Sequence, residues 1–339
     1  MNEFLQKIAA GQVLTQEEAE AAMHQMMQGK ASPEELAGFL LGIRARGETV
    51  EELTGFVRAM RAYAVPVELK DRQAIDVCGT GGDQTGTFNI STTVAFVCAG
   101  AGVTVAKHGN RSISSKSGSA DVLEALGARV NLGKEGVEYC LEEVGIAFIF
   151  APLFHPAMRH VMPVRRALGV RTFFNILGPL VNPAGVERQL VGAFSPEVAR
   201  QMAEVLARLG AVRAITVHAG GMDEFSLHAP ATFYRVDGKA VEEHALLPEA
   251  LGFRQVPLEA LKGGNAQENA SILQQVLSGQ EGPYREVVLL NAAYALYISG
   301  KYDDLDTALQ AAVESIDSGA AARKLKDFIA ITHEAPAPA

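Results

Sequence analysis

The stretch Asp76-Val77-Cys78-Gly79-Thr80-Gly81-Gly82-Asp83-Gln84-Thr85-Gly86-Thr87-Phe88-Asn89-Ile90-Ser91-Thr92 decides how this chain is read. Ala74–Cys78 is a short apolar run of the kind that forms a buried strand. Four glycines follow within eight residues, at 79, 81, 82 and 86. Asn89, Ser91 and Thr92 then precede the apolar run Val94–Val97, which reads as a helix with a polar cap. Strand, glycine loop and helix start form an anion site. Glycines let backbone N–H groups approach a phosphate, and the helix start adds unpaired donors and a favourable dipole. The spacing is neither G-x-G-x-x-G nor the G-x-x-x-x-G-K-[ST] P-loop. A single glycine would signify only a turn; four, with a cap and Asp83, favour an anion.

A second polar cluster comes after the next strand pattern, Val103–Ala106. Lys107–Ser119 holds three cations, His108, Asn110 and five serines within thirteen residues, and a helical pattern returns at Val122. This reads as a long loop at the carboxyl end of a strand, where open α/β sheets bind ligands. A serine-rich loop alone can be a solvated tether. Two such loops after consecutive strands favour a shared phosphate pocket.

Outward from these loops the pattern divides. The first 65 residues carry three capping-box signatures, Thr15…Glu18, Ser32…Glu35 and Thr49…Glu52, with Pro33 at a first helical position. They read as a small four-helix subdomain, joined to the rest of the chain by Pro66 and the charged stretch 68–72. Beyond it, strands fit Ala74–Cys78, Val103–Ala106, Ile146–Phe150, Gln189–Phe194 and Ala214–His218, with helices between, clearest at Pro196–Leu209. The fold class is therefore α/β: a small N-terminal all-helical domain, residues 1–66, and a large α/β domain, residues 74–330, with a mostly parallel central sheet. Three helical patterns fill the C-terminal third, near 265–278, 283–299 and 304–330. The Pro/Ala-rich tail 334–339 is expected to be disordered.

Composition narrows the function. The 339 residues carry a formal net charge of −9, which disfavours a general nucleic-acid binder but leaves room for a local cationic pocket. Cys78, Cys98 and Cys140 are dispersed among apolar neighbours and match no disulfide or metal pattern, so they read as reduced thiols of a cytoplasmic protein. No signal-peptide pattern opens the chain and no apolar run reaches membrane-spanning length.

The motifs Gly79–Asp83, Thr87–Thr92, Lys107–Ser119, Arg171–Leu180 and Met222-Asp223-Glu224 together resemble the anthranilate phosphoribosyltransferase family, tryptophan-pathway enzymes of the nucleoside-phosphorylase-like fold. The resemblance covers nearly the whole chain. It implies transfer of the phosphoribosyl group of 5-phosphoribosyl 1-pyrophosphate to the amine of anthranilate, with pyrophosphate released, the second step of tryptophan biosynthesis from chorismate. It implies Mg²⁺, two ions per subunit, and a homodimer formed through the helical domain. It also implies that residues 160–185 return to that domain. A pyrimidine nucleoside phosphorylase-like enzyme and a non-catalytic nucleic-acid-binding relative are the alternatives; the intact glycine motif and the acid pair argue against the first, the negative charge against the second.

Carried over residue by residue, the resemblance has Gly79, Gly82, Asp83, Thr87, Asn89, Ile90, Ser91 and Thr92 line the phosphoribosyl pyrophosphate. Lys107, His108, Gly109, Asn110, Arg111, Ser112, Ile113, Ser114, Ser115 and Ser119 complete that subsite. Gly79, Asn110 and Arg165 would meet anthranilate, where a guanidinium can bind both oxygens of a carboxylate. Lys107, His108, Asn110 and Arg165 form the catalytic set. Ser91, Asp223 and Glu224 would ligate the metal, and His155 and Arg159 would line an outer acceptor channel. Read without the resemblance, Asp223-Glu224 is a solvated turn or a metal pair, and Arg165-Arg166 are helix-face arginines of either role. His108 suits proton handling and loop ordering equally.

Overall fold

The computed structural model describes residues 1–83, 85–112 and 116–336. Four helices open the chain: α1 (Asn2–Ala9), α2 (Gln16–Met27), α3 (Pro33–Arg46) and α4 (Val50–Ala62). The last three start at the capping boxes read from the sequence, with both reciprocal hydrogen bonds formed at Thr15, Ser32 and Thr49. Each such cap stabilises its helix by about 1 kcal/mol. Their apolar faces meet around Met23, Phe39, Leu40 and Phe56, all fully buried. The same cluster takes in Val161, Val164 and Phe173 from the middle of the chain. Phe173 stacks on Phe56 with ring centroids 4.4 Å apart.

The second body is built on seven strands: β1 (Ile75–Gly79), β2 (Val105–Gly109), β3 (Ile146–Phe150), β4 (Arg188–Gly192), β5 (Arg213–Ala219), β6 (Ala231–Asp237) and β7 (Ala240–Leu246). Their order is β3-β2-β1-β4-β5-β6-β7. The first five pair in parallel, whereas β6 and β7 are antiparallel. The sheet is thus mostly parallel, with an antiparallel hairpin at one edge that the sequence reading omits. Strand order reverses between β1 and β4, whose carboxyl ends leave a crevice of the kind that receives ligands.

Three local readings need correction. Lys107, His108 and Gly109 belong to β2 and not to the loop after it. Helix α5 spans Ile90–Gly100 with Asn89 at its N-cap position, yet the Asn89 side chain does not cap it. That amide instead accepts from Asn269 Nδ2 at 2.9 Å and donates to the Ser117 carbonyl at 3.4 Å, so packing across the cleft outcompetes the local cap. The third C-terminal helical pattern is two helices, Leu305–Asp317 and Ala320–Glu334, separated at the left-handed Gly319. At the end of the chain Ala335 is buried and the Arg129 guanidinium donates to the Ala335 and Pro336 carbonyls; residues 337–339 lie outside the described ones.

Candidate active site

The floor of the crevice is the pair Gly79 and Gly192, register partners on β1 and β4. Over them runs the backbone of Asp223. A Cβ on Gly192 would lie 1.4 Å from the Asp223 carbonyl oxygen, and one on Gly79 would lie 2.6 Å from Asp223 Oδ2. Beyond Gly79 the chain turns through Gly81, Gly82 and Gly86, each at a φ between 65° and 69°. The N–H of Gly81 donates to Asp223 Oδ2 at 2.7 Å, so one of the loop's anion-seeking donors is already occupied by a carboxylate. Asp83 accepts from the Thr85 hydroxyl at 2.6 Å, and the Arg171 guanidinium holds the Gly82 carbonyl. Thr87 bridges to Lys262, and Gly263 N–H donates to the Gly86 carbonyl at 2.9 Å, anchoring the far end of the loop.

Helix α5 begins where this loop ends. Ile90 and Thr92 are buried in its first turn, while Ser91 faces the crevice. The Lys107 ammonium, from neighbouring β2, donates to Ser91 Oγ at 3.1 Å and to the Val77 carbonyl. Lys107 is only 3% exposed, so its amino group sits nearly desolvated between β1 and the start of α5. One strand position later, His108 N–H donates to Asp76 Oδ1 at 3.1 Å; Asp76 Oδ2 accepts from Asn182 Nδ2 at 2.8 Å. Asp76 is fully buried, and that burial lifts its carboxyl above the usual range.

The His108 ring meets the His155 ring edge-on at 5.2 Å. Burial first, and the neighbouring imidazole second, push His108 down to about 3; burial pushes His155 down to about 4. Both imidazoles are therefore neutral at physiological pH. Each Nε2 is buried without a hydrogen-bond partner among the described residues.

After β2, exposed Asn110 accepts from Arg111 N–H at 2.7 Å. The Arg111 guanidinium is turned away, onto Glu124 and Asp121, with Phe150 beneath it at 5.5 Å. Asp121 accepts from Gly118 and Ser112 N–H groups, at 2.8 and 3.1 Å, and so gathers the two ends of the serine loop. Ser119 begins the next helix beside Gly109, where a Cβ would lie 2.8 Å from Ser119 Oγ. Ile113, Ser114 and Ser115 lie outside the described residues.

Asp223 and Glu224 come just past the tight turn, Ala219–Met222, that ends β5. Burial, then the charge of Asp83, lift Asp223 to about 7. Burial, then the charge of Asp223, lift Glu224 well above its ordinary value, while Ser91 N–H bonds it from α5. Three carboxyls thus crowd one ammonium, an oxygen-rich donor set suited to a hard divalent cation. Among the described residues no cluster of three His, Cys, Asp or Glu is arranged to hold an ion by itself. Phosphate oxygens of a substrate would have to complete the shell.

Arg165 stands apart, half-buried in the helix Met162–Leu168. Its guanidinium lies over the Phe174 ring at 5.0 Å and touches Met162 Sδ at 3.7 Å; no acid pairs with it among the described residues. Arg166 and Arg159 are exposed. A cavity of about 850 Å³ opens between the helical body and the glycine loop, lined by Leu41, Arg44, Asp83, Val170, Arg171 and Phe194. Of the residues read from the sequence as site groups, it touches Asp83.

The sequence reading misses the residues that set the acid turn. Asn291, buried in the helix Pro283–Ser299, donates to the Phe225 carbonyl at 2.8 Å and accepts its N–H at 3.0 Å. His218 and His228 bond the turn itself. An asparagine inside the apolar run Val287–Leu296 is the available signal for the first; nothing local marks the two histidines.

Comparison with known proteins agrees with this architecture. Residues 2–64 match the glycosyl transferase family, helical bundle domain, and residues 71–322 match the glycosyl transferase family, a/b domain. The anthranilate phosphoribosyltransferase of Salinibacter ruber is 58% identical over 341 residues, spanning 99% of both chains. The crystal structure of anthranilate phosphoribosyltransferase from Thermus thermophilus superposes with a TM-score of 0.91 at 45% identity, covering 97% of this chain and 99% of that one. The Saccharomyces cerevisiae enzyme in complex with PRPP and Mg superposes with a TM-score of 0.89 at 27% identity, covering 98% and 97%. With its two domains matched in order and more than half its residues shared with a full-length relative, the chain belongs to the anthranilate phosphoribosyltransferase family.

Proposed function

We propose that this protein transfers the phosphoribosyl group of 5-phosphoribosyl 1-pyrophosphate to the amine of anthranilate, releasing pyrophosphate. The observation that carries the reading is the contact between Lys107 Nζ and Ser91 Oγ, which ties the end of β2, ahead of the serine loop, to the first turn of α5, after the glycine loop, in one crevice. A polyanionic leaving group needs cations and preorganised donors where its charge develops. Lys107 supplies a desolvated ammonium, and the first turn of α5, with Ile90, Ser91 and Thr92, supplies N–H groups and a dipole. Gly79, Gly82, Asp83, Thr87 and Asn89 shape one side of the same subsite. Gly109, Asn110, Arg111, Ser112 and Ser119, with residues 113–115 between them, would cover the other.

Mg²⁺ fits the acid turn. Ser91 and Glu224 would hold one ion and Asp223 with Glu224 a second, neutralising the departing pyrophosphate. Arg165, a half-buried guanidinium paired with no acid among the described residues, suits the anthranilate carboxylate, with Asn110 and Gly79 aiming the amine at the ribose. An aryl amine is already neutral, so positioning matters more than a strong base. His108, neutral and backed by Asp76, orders the second loop in this reading. His155 flanks the acceptor side against it.

The body formed by residues 1–66 and about 160–185 would be the dimer-forming unit, residues 74–330 the phosphoribosyl pyrophosphate-binding unit, and the protein a cytoplasmic homodimer. No helix among the described residues is long and apolar enough to cross a membrane. Pyrophosphate release measured with and without anthranilate and Mg²⁺ tests the function. Release that is independent of anthranilate, or absent with both substrates, would overturn it. Arg165→Ala should mainly raise KM for anthranilate and Lys107→Ala mainly KM for the phosphoribosyl donor, each by about 10- to 150-fold from charge-assisted bonds of roughly 1.5–3 kcal/mol.

A further inference from the structure

The acid pair follows a turn that two histidines hold by hydrogen bonds, one at its N–H and one at its carbonyl. Ala219 and Met222 exchange both backbone hydrogen bonds at 3.0 Å, closing a two-residue turn on Gly220 and Gly221. Both glycines are left-handed, at φ 54° and 93°, as a type I′ turn requires. Such a turn fixes its own four residues but not the direction of Asp223 and Glu224 beyond it. That direction comes from outside.

His218, on β5, bonds the Ala193 carbonyl through Nδ1 at 2.8 Å, so Nδ1 carries the proton and Nε2 is a bare acceptor. Gly221 N–H donates to that Nε2 at 3.2 Å. His228, past the acids, bonds the Gly220 carbonyl through Nε2 at 3.0 Å, so there Nε2 carries the proton. Its Nδ1 then accepts from the buried Ser226 hydroxyl at 2.6 Å. One ring therefore takes the turn's N–H and the other gives to the turn's carbonyl. Gly220 admits no side chain on this face: a Cβ there would lie 2.4 Å from Ala229 Cβ and 2.7 Å from His228 Nε2, whereas Gly221 is required by its left-handed φ and not by lack of space.

We propose that His218 and His228 are positioning residues that aim Asp223 and Glu224 at the divalent cation of the phosphoribosyl substrate. The assignment rests on the metal reading given above. Residues that orient metal ligands typically change metal affinity 10- to 100-fold when altered. Neither histidine touches the reacting groups, so the effect falls on the concentration of metal needed and not on the chemical step.

The two amide side chains separate positioning from bulk stability. A glutamine amide reaches the Nε2 position and an asparagine amide the Nδ1 position. His218→Gln can still accept from Gly221 N–H and His228→Gln can still donate to the Gly220 carbonyl. The Asn variants keep only the anchoring bonds to Ala193 or Ser226. For the doubly substituted Asn protein, half-maximal activity should need about 10- to 100-fold more Mg²⁺, with kcat at saturating Mg²⁺ within about 3-fold of the unaltered protein. The doubly substituted Gln protein should return to within about 3-fold of the unaltered Mg²⁺ requirement. Binding of Mn²⁺ in the presence of pyrophosphate, read by water-proton relaxation, should follow the same order. If the double Asn variant does not fold, the single His218→Asn and His228→Asn proteins carry the comparison. Equal Mg²⁺ requirement and Mn²⁺ affinity in the Asn and Gln series, whatever their melting temperatures, would overturn the positioning role. An unaltered protein that needs no Mg²⁺ and binds no Mn²⁺ would instead remove the metal reading beneath it.

Discussion

Gly192 lies directly under the backbone of Asp223, so close that a Cβ on Gly192 would sit 1.4 Å from the Asp223 carbonyl oxygen. Three separate parts of the chain meet there: the end of β4, the acid turn after β5, and Gly79 at the end of β1 on the other side. The crevice exists because two adjacent strand ends carry no side chain and the acid turn lies down in the space.

The two glycines should answer differently to the same substitution. Gly192→Ala forces a backbone to move and should cost at least 100-fold in kcat/KM, together with a destabilisation of about 1–3 kcal/mol from overpacking. Gly79→Ala meets the Asp223 carboxylate and not its backbone, so its effect on kcat/KM should be smaller and fall mainly on the Mg²⁺ requirement. Steady-state kinetics at varied Mg²⁺ with urea unfolding curves measure both. Equal losses would mean that Asp223's backbone position is not what Gly192 protects.

The raised Asp223 carboxyl predicts a proton released on metal binding. Held at about 7 by burial and by Asp83, it is largely protonated at pH 6.5 in the empty protein and must ionise to bind a cation. Calorimetric titration with Mg²⁺ and pyrophosphate, in buffers of different ionisation enthalpy, should show at pH 6.5 a proton release beyond that of the same titration without protein, and this excess should shrink toward pH 8. Asp223→Asn should reduce that excess, leaving the part that the raised Glu224 carboxyl supplies. The sign for stability is opposite to that of an ordinary carboxylate. A folded value above the unfolded one means the empty protein loses stability as pH rises from about 4 through about 7. No excess in the unaltered protein at pH 6.5 would contradict the argument.

His155 makes the reverse prediction at acid pH. Its folded value of about 4 lies below the unfolded 6.5, so both states are neutral above 6.5 and only the unfolded chain gains the proton as pH falls toward 4. At pH 5 this costs the folded state roughly 2 kcal/mol. His155→Phe, which keeps a ring against His108, should therefore lessen the stability difference between pH 7.5 and pH 5 by about that amount. Urea midpoints at the two pH values decide it; an unchanged difference would show that His155 is protonated readily in the fold.

Much of this is legible in the chain because its signals are local. Capping boxes at Thr15, Ser32 and Thr49 mark three helix starts to the residue, and the strand Ile146–Phe150 is apolar end to end. Lys107 and His108 read as loop because polar residues rarely close a buried strand; here Val77, Ser91 and Asp76 satisfy them from neighbouring elements. The hairpin β6–β7 carries a usable signal, the Gly-X pair Gly238-Lys239 between two strand runs, which a search for alternating strands and helices overlooks. Asp223-Glu224 is ambiguous for a deeper reason. What positions the pair over the crevice is Gly192, on the preceding strand, and Asn291, in a helix near the end of the chain, and no periodicity links them.

Arg111 supplies the last prediction, because its observed partners conflict with the subsite proposed for it. Its guanidinium is bound to Glu124 and Asp121 and rests on Phe150, facing away from the crevice. If it meets substrate phosphate, it must first leave Glu124, and that pair then opposes substrate binding. Removing the acid's charge should help. The pair is partly exposed, so its contribution is about 0.2–1 kcal/mol, and Glu124→Gln should tighten the phosphoribosyl donor by about 1.5- to 5-fold. Arg111→Ala should weaken the donor in the unaltered background and by more in Glu124→Gln, since there the arginine is free to engage. If Arg111 instead only braces the loop, Glu124→Gln should lower the melting temperature and weaken the donor, and the two substitutions together should do no worse than either alone. Donor KM and melting temperature for the two single variants and the double, at low salt where the pair is least screened, separate these outcomes.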